Sequence, residues 1–361
     1  MKPTLAATAK IDLAALRHNL EQIKLKVPNS QITSIVKANG YGHGAVPVAL
    51  ALESLSDNFG VARIEEALEL RRAGITQSIL LLEGFYADSD LPILQANNLH
   101  TALHCEEQLV ALEQASLASP IHVWLKIDTG MHRLGVRPED LNAFIERLHA
   151  CPNVAKPLRF ISHFGCADEL DNPVTMQQIT LFTQLAEPEC ERSIAASSGI
   201  LAWPDSHLEW VRPGIILYGV SPFEYQTAEF LGFKPAMTLT SKLIAVRDVK
   251  AGDSVGYGAT WTAQQDTKVG VIAMGYGDGY PRTAPNGTPV LVNGRRVPLV
   301  GRVSMDMLTV ELGAGSQDNV GDEATLWGDG LPAEEVAHHI GTIAYELVTK
   351  LTGRVALLYS E

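Results

Sequence analysis

Ile32-Thr33-Ser34-Ile35-Val36-Lys37-Ala38-Asn39-Gly40-Tyr41-Gly42-His43-Gly44 passes from an apolar, β-branched run into a turn dense in glycine. Such a run ending in such a turn reads as a buried strand feeding a loop, with a helix expected from about Val46. Lys37 therefore stands at the carboxyl end of a strand. A lysine at an arbitrary strand end is a solvated cation. Here three glycines and a tyrosine crowd in behind the amine, which points to close approach of the backbone to a ligand. Partial burial would lower the amine's pKa and make it a nucleophile able to form a Schiff base.

Working outward, the pattern alternates between helical and strand periods. Asp12 is placed to cap a helix whose apolar positions are Leu13, Leu16, Leu20 and Ile23. Strand candidates recur near 32–37, 59–63, 78–83, 98–104, 121–128, 158–163, 192–197 and 207–212, with helical stretches such as Ile64–Ala73 and Pro138–Ala150 between several of them. Eight strands alternating with helices predict an α/β fold, a (β/α)8 TIM barrel. Lys37, Lys126 with Asp128, His163, Ser197 and Arg212 all fall at or near the carboxyl ends of these candidates, the face on which such barrels build active sites.

Past Phe233 the texture changes to β-patterned segments at Thr238–Val249, Val269–Met274, Pro289–Val292 and Val297–Met307, with Asn293-Gly294 as a hairpin signal and a helix expected over Ala333–Lys350. The expected division is a barrel domain over 1–232 and a mostly β domain over 233–361. Pro213-Gly214-Ile215-Ile216 follows the eighth strand candidate and can open a short helix whose exposed N–H groups suit a phosphate, with the Ser197 hydroxyl as a further donor.

The chain has 361 residues, 46% hydrophobic and 19% charged, enough for two ordinary domains with a sizeable core. Its net charge of −13 argues against nucleic acid or an anionic membrane as partner, so an anionic cofactor has to be held by local donors. The four cysteines, Cys105, Cys151, Cys166 and Cys190, form no CxxC pair, so neither a disulfide framework nor a cysteine metal site is signalled. Met1 to Lys10 lacks the apolar core of a signal peptide, and no apolar run is long enough to span a bilayer. The expected compartment is the cytoplasm.

The segment Ser34–Gly44 resembles the pyridoxal phosphate signature of alanine racemases, enzymes of fold type III. Asp128–Gly135, Val211–Gly219, Gly256–Thr260 and Gly301–Asp306 resemble further motifs of that family in the family's order, so the resemblance covers nearly the whole chain. It implies interconversion of L- and D-alanine with pyridoxal 5'-phosphate, for peptidoglycan supply or alanine catabolism. By the same resemblance Lys37 and Tyr257 are the two catalytic bases. The cofactor is held by Lys37, Tyr41, His163, Ser197, Arg212, Gly214 and Ile215. Arg133 and Met305 contact the substrate carboxylate, and Lys126, which is often carbamylated in the family, orients Arg133. Tyr276 and Asp306 line the entrance. A homodimer with a site shared between subunits is implied, and no metal.

Racemisation needs a proton taken from one face of Cα and another delivered to the opposite face, which two groups do most simply. Arg212 stays protonated, so if it faces the pyridine nitrogen, as the resemblance implies, it would leave that nitrogen unprotonated, weaken the ring as an electron sink and suppress transamination. The chain departs from the family pattern at Ser304, where cysteine is frequent, and at Ala356, where proline usually follows Arg-Val. Three rival readings meet objections in the sequence. A barrel decarboxylase with the same cofactor is opposed by the Tyr257 and Arg212 motifs, and a cofactor-storage barrel by the β domain. A metal hydrolase on His43, His104 and His163 lacks ligand spacing. Strictness toward serine and other small amino acids, and kinetic constants, are not legible in the sequence.

Overall fold

A computed structural model describes residues 6–187, 189–224 and 226–361. It divides into two compact units: one made of the described residues up to Leu16, the tripeptide Tyr41–His43 and the chain from Tyr218 onward, the other of Arg17–Gly40 and Gly44–Leu217.

The second unit is the barrel. After a first strand, β1 (Thr8–Asp12), the strands β2 (Gln31–Ile35), β3 (Asn58–Val61), β4 (Ile79–Leu81), β5 (Leu99–Leu103), β6 (Val123–Lys126), β7 (Arg159–Ile161), β8 (Glu191–Ser193) and β9 (Trp210–Val211) follow in chain order. β2 to β9 close on themselves in sequential order, every pair parallel, with β9 returning to β2 through Gln31 opposite Trp210. All eight predicted strands are present and shorter than expected at several ends. The intervening helices include α1 (Leu13–Lys26), α2 (Ala45–Leu52) and α3 (Ile64–Arg72). Asp12 caps α1 as expected, its Oδ1 accepting the Ala15 N–H at 2.9 Å.

Alternation along the strands turns every second side chain inward. Leu80 of β4, Trp124 of β6, Ile161 of β7 and Trp210 of β9 meet there in one buried cluster, with Leu82 packed against it. Burying an aliphatic side chain of this size is worth about 1.5–3 kcal/mol. The two indoles meet edge to face at 5.8 Å, and the Arg159 guanidinium lies over both, at 5.4 and 6.0 Å. Arg159 opens β7 and pairs with Glu191 at the start of β8, so this cation plugs the amino-terminal end and leaves the carboxyl end for ligands.

The other unit is built on a mixed sheet in the order β15-β14-β17-β10-β1-β18, with β13 pairing β10 and β16. Its strands are β10 (Met237–Val249), β11 (Ser254–Val255), β12 (Trp261–Thr262), β13 (Thr267–Ile272), β14 (Pro289–Val292), β15 (Arg295–Pro298), β16 (Leu308–Glu311), β17 (Glu323–Trp327) and β18 (Ala356–Ser360). Asn293 and Gly294, at φ 51° and 74°, make the expected two-residue hairpin turn between β14 and β15.

Three expectations need correction. Val297–Met307 is not one strand: β15 ends at Pro298 and β16 starts at Leu308, with an irregular loop between. The helix over Ala333–Lys350 is two, Ala333–Ile340 and Ala344–Thr349, separated at Gly341, whose φ of 77° stops the first. Strands β1 and β18 were not foreseen. They pair in parallel with each other, Thr8 opposite Ala356 through Asp12 opposite Ser360, a contact between the two ends of the chain that no local pattern announces.

Candidate active site

Lys37 lies two residues past the end of β2 and opens an unusual turn. Ala38, Asn39 and Gly40 follow in the left-handed region, at φ 52°, 55° and 61°. L-residues resist this conformation by about 1–2 kcal/mol each, so the turn has to be held by its surroundings. The Gly40 N–H bonds Val36 O at 2.9 Å, the Gly44 N–H bonds Asn39 O at 2.9 Å, and Asn39 Oδ1 takes the Ala45 N–H at 3.0 Å, starting α2. Glycine at position 40 is required twice: its φ is positive, and an added Cβ would come within 3.2 Å of the Ala45 backbone.

Lys37 sits in the field of Arg133 and Arg212, with Glu83 and Glu66 opposing. Burial lowers its pKa from the ordinary lysine value. Glu83 raises it, Arg133 lowers it, Glu66 raises it and Arg212 lowers it, and the net direction is down. Lys126, the last residue of β6, is buried, and burial followed by Arg212, Arg133 and Lys37 brings its amine down to about 8. Burial, then Arg212 and Lys126, drives the His163 imidazole well below its ordinary value, so it is neutral at pH 7.

Arg212, just past β9, is 4% exposed. Its Nη1 donates to Ser193 Oγ at 2.5 Å, and Nη2 to Ser162 O at 2.6 Å and His163 Nδ1 at 3.4 Å. Burial lowers the guanidinium to about 9, still a cation at neutral pH. Next to it Ser197 opens a short helix, Ser197–Ala202, and its hydroxyl accepts the N–H groups of Gly214 at 3.1 Å and Ile216 at 3.3 Å. Ile215 is fully buried at the start of a 3-10 turn, the short helix expected there. The two amides thus hold the Ser197 hydroxyl by its oxygen, with its proton left to donate, after the seventh and eighth barrel strands.

Arg133 projects from a loop organised by Asp128. That carboxylate accepts the Gly130 and His132 N–H groups at 3.1 and 3.0 Å and His132 Nδ1 at 2.9 Å. Burial alone would raise the Asp128 carboxyl, but these bonds hold it below the usual range. Buried Gln178 ties the loop to β7, donating to Thr129 Oγ1 and His163 O, both at 3.1 Å. Lys126, Arg133, Leu134, Ser162 and His163 border a cleft that opens to solvent.

The remaining predicted residues lie in the other unit. Tyr41 is buried, stacked on Tyr218 at 4.9 Å with Tyr345 at 6.3 Å, and burial pushes its phenol up. Tyr257 is 70% exposed, in a one-turn element between β11 and β12 that contains Gly258 at φ 75°. Met305 and Tyr276 are exposed on two loops that bond to each other, Met305 O accepting the Gly277 N–H at 2.8 Å and Ser304 O the Tyr276 N–H at 3.0 Å. Asp306 pairs with Arg354 at 2.8 Å, and Arg354 also with Asp278 at 3.0 Å. Among the described residues no three or more His, Cys, Asp or Glu side chains are grouped so as to hold a metal ion. The sequence reading missed Glu66 and Glu83. Glu66 carries a signal, since an acid at the third position of a helix favours capping, while nothing in the local pattern marks Glu83.

A closed parallel barrel that gathers lysines, arginines and a neutral histidine at the carboxyl ends of its strands, with the Ser197 hydroxyl held beside them, defines a class: barrel enzymes acting on anionic ligands. Residues 11–222 match the family described as alanine racemase, N-terminal domain, and 236–359 the alanine racemase C-terminal domain. The chain is 70% identical over 355 residues to the alanine racemase of Vibrio atlanticus (strain LGP32), covering 98% of this chain and 99% of that one. Against the alanine racemase of Vibrio cholerae it is 66% identical, with 98% of each covered. The crystal structure of biosynthetic alanine racemase from Pseudomonas aeruginosa superposes with a TM-score of 0.96 at 47% identity, over 99% of this chain and 100% of that one. The alanine racemase of Acinetobacter baumannii gives 0.92 at 37%, over 99% of this chain and 100% of that one. The chain belongs to the alanine racemase family and is an isomerase.

Proposed function

We propose that this racemase interconverts L- and D-alanine by two-base proton transfer with pyridoxal 5'-phosphate. The observation that carries the reading is the gathering of Lys37, Lys126, Arg133 and Arg212 at one barrel mouth, where the neighbouring cations add to burial in lowering both lysines, in a chain of net charge −13. Such a cluster is held against burial and like charge for the anions it binds. The residues fit the cofactor: Ser197 Oγ accepts the Gly214 and Ile216 amides and so keeps its own proton to donate to a phosphate, and buried Arg212 bonds only neutral acceptors among the described residues.

When bound, pyridoxal phosphate supplies an electron sink that acidifies the α-hydrogen of the attached amino acid. Lys37 would anchor it covalently, its lowered pKa favouring the neutral amine that attacks and later moves a proton on one face of Cα. Tyr257 would serve the opposite face. Ser197, Gly214, Ile215 and Tyr41 would hold the phosphate. His163 would pack on the ring, and Arg212, a donor only, would leave the ring nitrogen unprotonated. Arg133 would bind the substrate carboxylate with the Met305 backbone, and Tyr276 and Asp306 would line the way in. Lys126, with an amine at about 8, keeps an appreciable neutral fraction near physiological pH. That fraction can take up carbon dioxide, and the resulting anion would orient Arg133.

The part over 1–232, which contains the barrel strands, is thus assigned to the cofactor and the β-rich part, 233–361, to the second base. The exposure of Tyr257 and Met305 supports a partner surface over them in a homodimer. No helix among the described residues is long and apolar enough to cross a membrane. A cytoplasmic role fits the free cysteines, and the likeness to a racemase described as biosynthetic supports D-alanine supply for peptidoglycan. Racemisation by the purified holoenzyme across a panel of single-enantiomer amino acids tests the reading, with alanine expected to be fastest. Lys37→Ala should lose the visible absorption of the bound cofactor and nearly all turnover. A colourless wild type that added cofactor cannot reconstitute would end it.

A further inference from the structure

Glu66 is the third residue of α3, and its Oε2 reaches back over the amino terminus of its own helix to accept the Ala62 N–H at 2.8 Å and the Arg63 N–H at 3.1 Å. That half is ordinary capping. Its other oxygen, Oε1, accepts the Ala38 N–H at 2.7 Å, the shortest of the three bonds. Ala38 follows Lys37 directly and is the first residue of the left-handed turn. Neither Ala38 nor Asn39 has glycine's freedom there, so the conformation persists only where outside groups impose it.

We propose that Glu66 is a positioning residue for Lys37: by pinning the Ala38 N–H it holds the left-handed turn that directs the lysine toward Arg133 and Arg212. The carboxylate ties two barrel segments, the ends of β2 and β3, to one helix cap, so the placement of the amine depends on α3. The proposal deepens the reading of Lys37 as cofactor anchor and rests on it.

Glu66→Gln separates pinning from capping. A carboxylate accepts on both oxygens, whereas an amide accepts on one and donates from the other. The single oxygen keeps the two-bond site at Ala62 and Arg63, which turns the NH2 toward the Ala38 N–H and breaks only the pin. Leu70→Ala, on the fully buried face of the same helix, destabilises α3 without touching the turn and serves as the structural control. Two readouts are used on folded protein: the pH profile of acylation of Lys37 by an amine-directed reagent in the cofactor-free enzyme, read by peptide mass, and retention of pyridoxal phosphate on dialysis.

In Glu66→Gln the profile should shift to lower pH, because a carboxylate favouring the protonated amine is gone while Glu83, Arg133 and Arg212 remain. Cofactor retention should weaken about tenfold, the scale of one charge-assisted hydrogen bond. Leu70→Ala should match or exceed the thermal destabilisation with both readouts unchanged, and adding Ala38→Gly to Glu66→Gln should recover part of the retention by relieving the strained residue. A Glu66→Gln protein with wild-type profile and retention, or a Leu70→Ala protein with the same losses, overturns the proposal. If wild-type Lys37 binds no cofactor, the functional reading falls, and a Glu66→Gln acylation profile identical to wild type would still overturn the positioning of the amine.

Discussion

Lys126 shows how a single buried cation reads out the whole barrel mouth. In the unfolded chain its amine titrates near 10.5, while in the folded one burial and three neighbouring cations bring it to about 8. Between these values the unfolded state binds more protons, so stability rises with pH across the window. Below pH 8 the cost of the charged form is fully present. That cost is on the order of 3 kcal/mol. Lys126→Met keeps the apolar stem and removes the charge. In cofactor-free, bicarbonate-free buffer the variant should be more stable than wild type at pH 7 by roughly 1–3 kcal/mol and should lose most of the rise toward pH 10. Urea titrations at the two pH values check this, and a wild type whose stability does not rise across the window would refute the account. The lysine itself was legible because its position at a strand end marks the active face, but its lowered pKa was not, since Arg133 and Arg212 reach it from other parts of the barrel unit.

At the scale of elements, turn chemistry was legible wherever it is local. Asn293-Gly294 announced a hairpin because both positions need positive φ, and the structure has it. The left-handed turn after Lys37 was not legible, since Ala38 and Asn39 adopt it under constraint from residues such as Glu66. Two glycines separate these cases by experiment. An added Cβ at Gly294 meets nothing within 4 Å, so Gly294→Ala should cost only the backbone penalty, about 1–2 kcal/mol. At Gly219 the Cβ would lie 1.6 Å from Lys234 O, so Gly219→Ala must displace backbone and should abolish the folded state or lower its melting temperature far more. Melts of the two variants side by side decide it, and equal losses would contradict the geometry. The helix expected over Ala333–Lys350 failed for a related reason: its apolar spacing runs on past Gly341, and periodicity does not register a single left-handed residue that ends one helix and starts another.

For the whole molecule the question is where Tyr257 and Met305 act. Both are exposed, and a base that works on Cα has to be shielded from water when it does so. The proposed homodimer places them against a partner's barrel, and a two-fold interface then yields two equivalent sites. Mixing inactive Lys37→Ala and Tyr257→Ala subunits under exchange conditions should restore up to roughly a quarter of wild-type activity, from hybrids with one intact site. Verified exchange with no recovery, or an active monomer, would discard the shared site.

The amino-acid order alone determined the alternation of eight strands and helices, the face on which Lys37, Lys126, His163, Ser197 and Arg212 fall, and the turn between β14 and β15, because period, glycine and β-branching act over a few residues. Tertiary structure alone decided the rest. It joined β1 to β18 across nearly the full length of the chain, assigned Tyr41–His43 to a different compact unit from Lys37, and closed the carboxylate of Glu66 on the residue that follows the lysine. Each of these depends on groups far apart in the chain whose attraction, repulsion or hydrogen bonding begins only once the backbone has brought them within a few ångströms, and no local pattern encodes that distance.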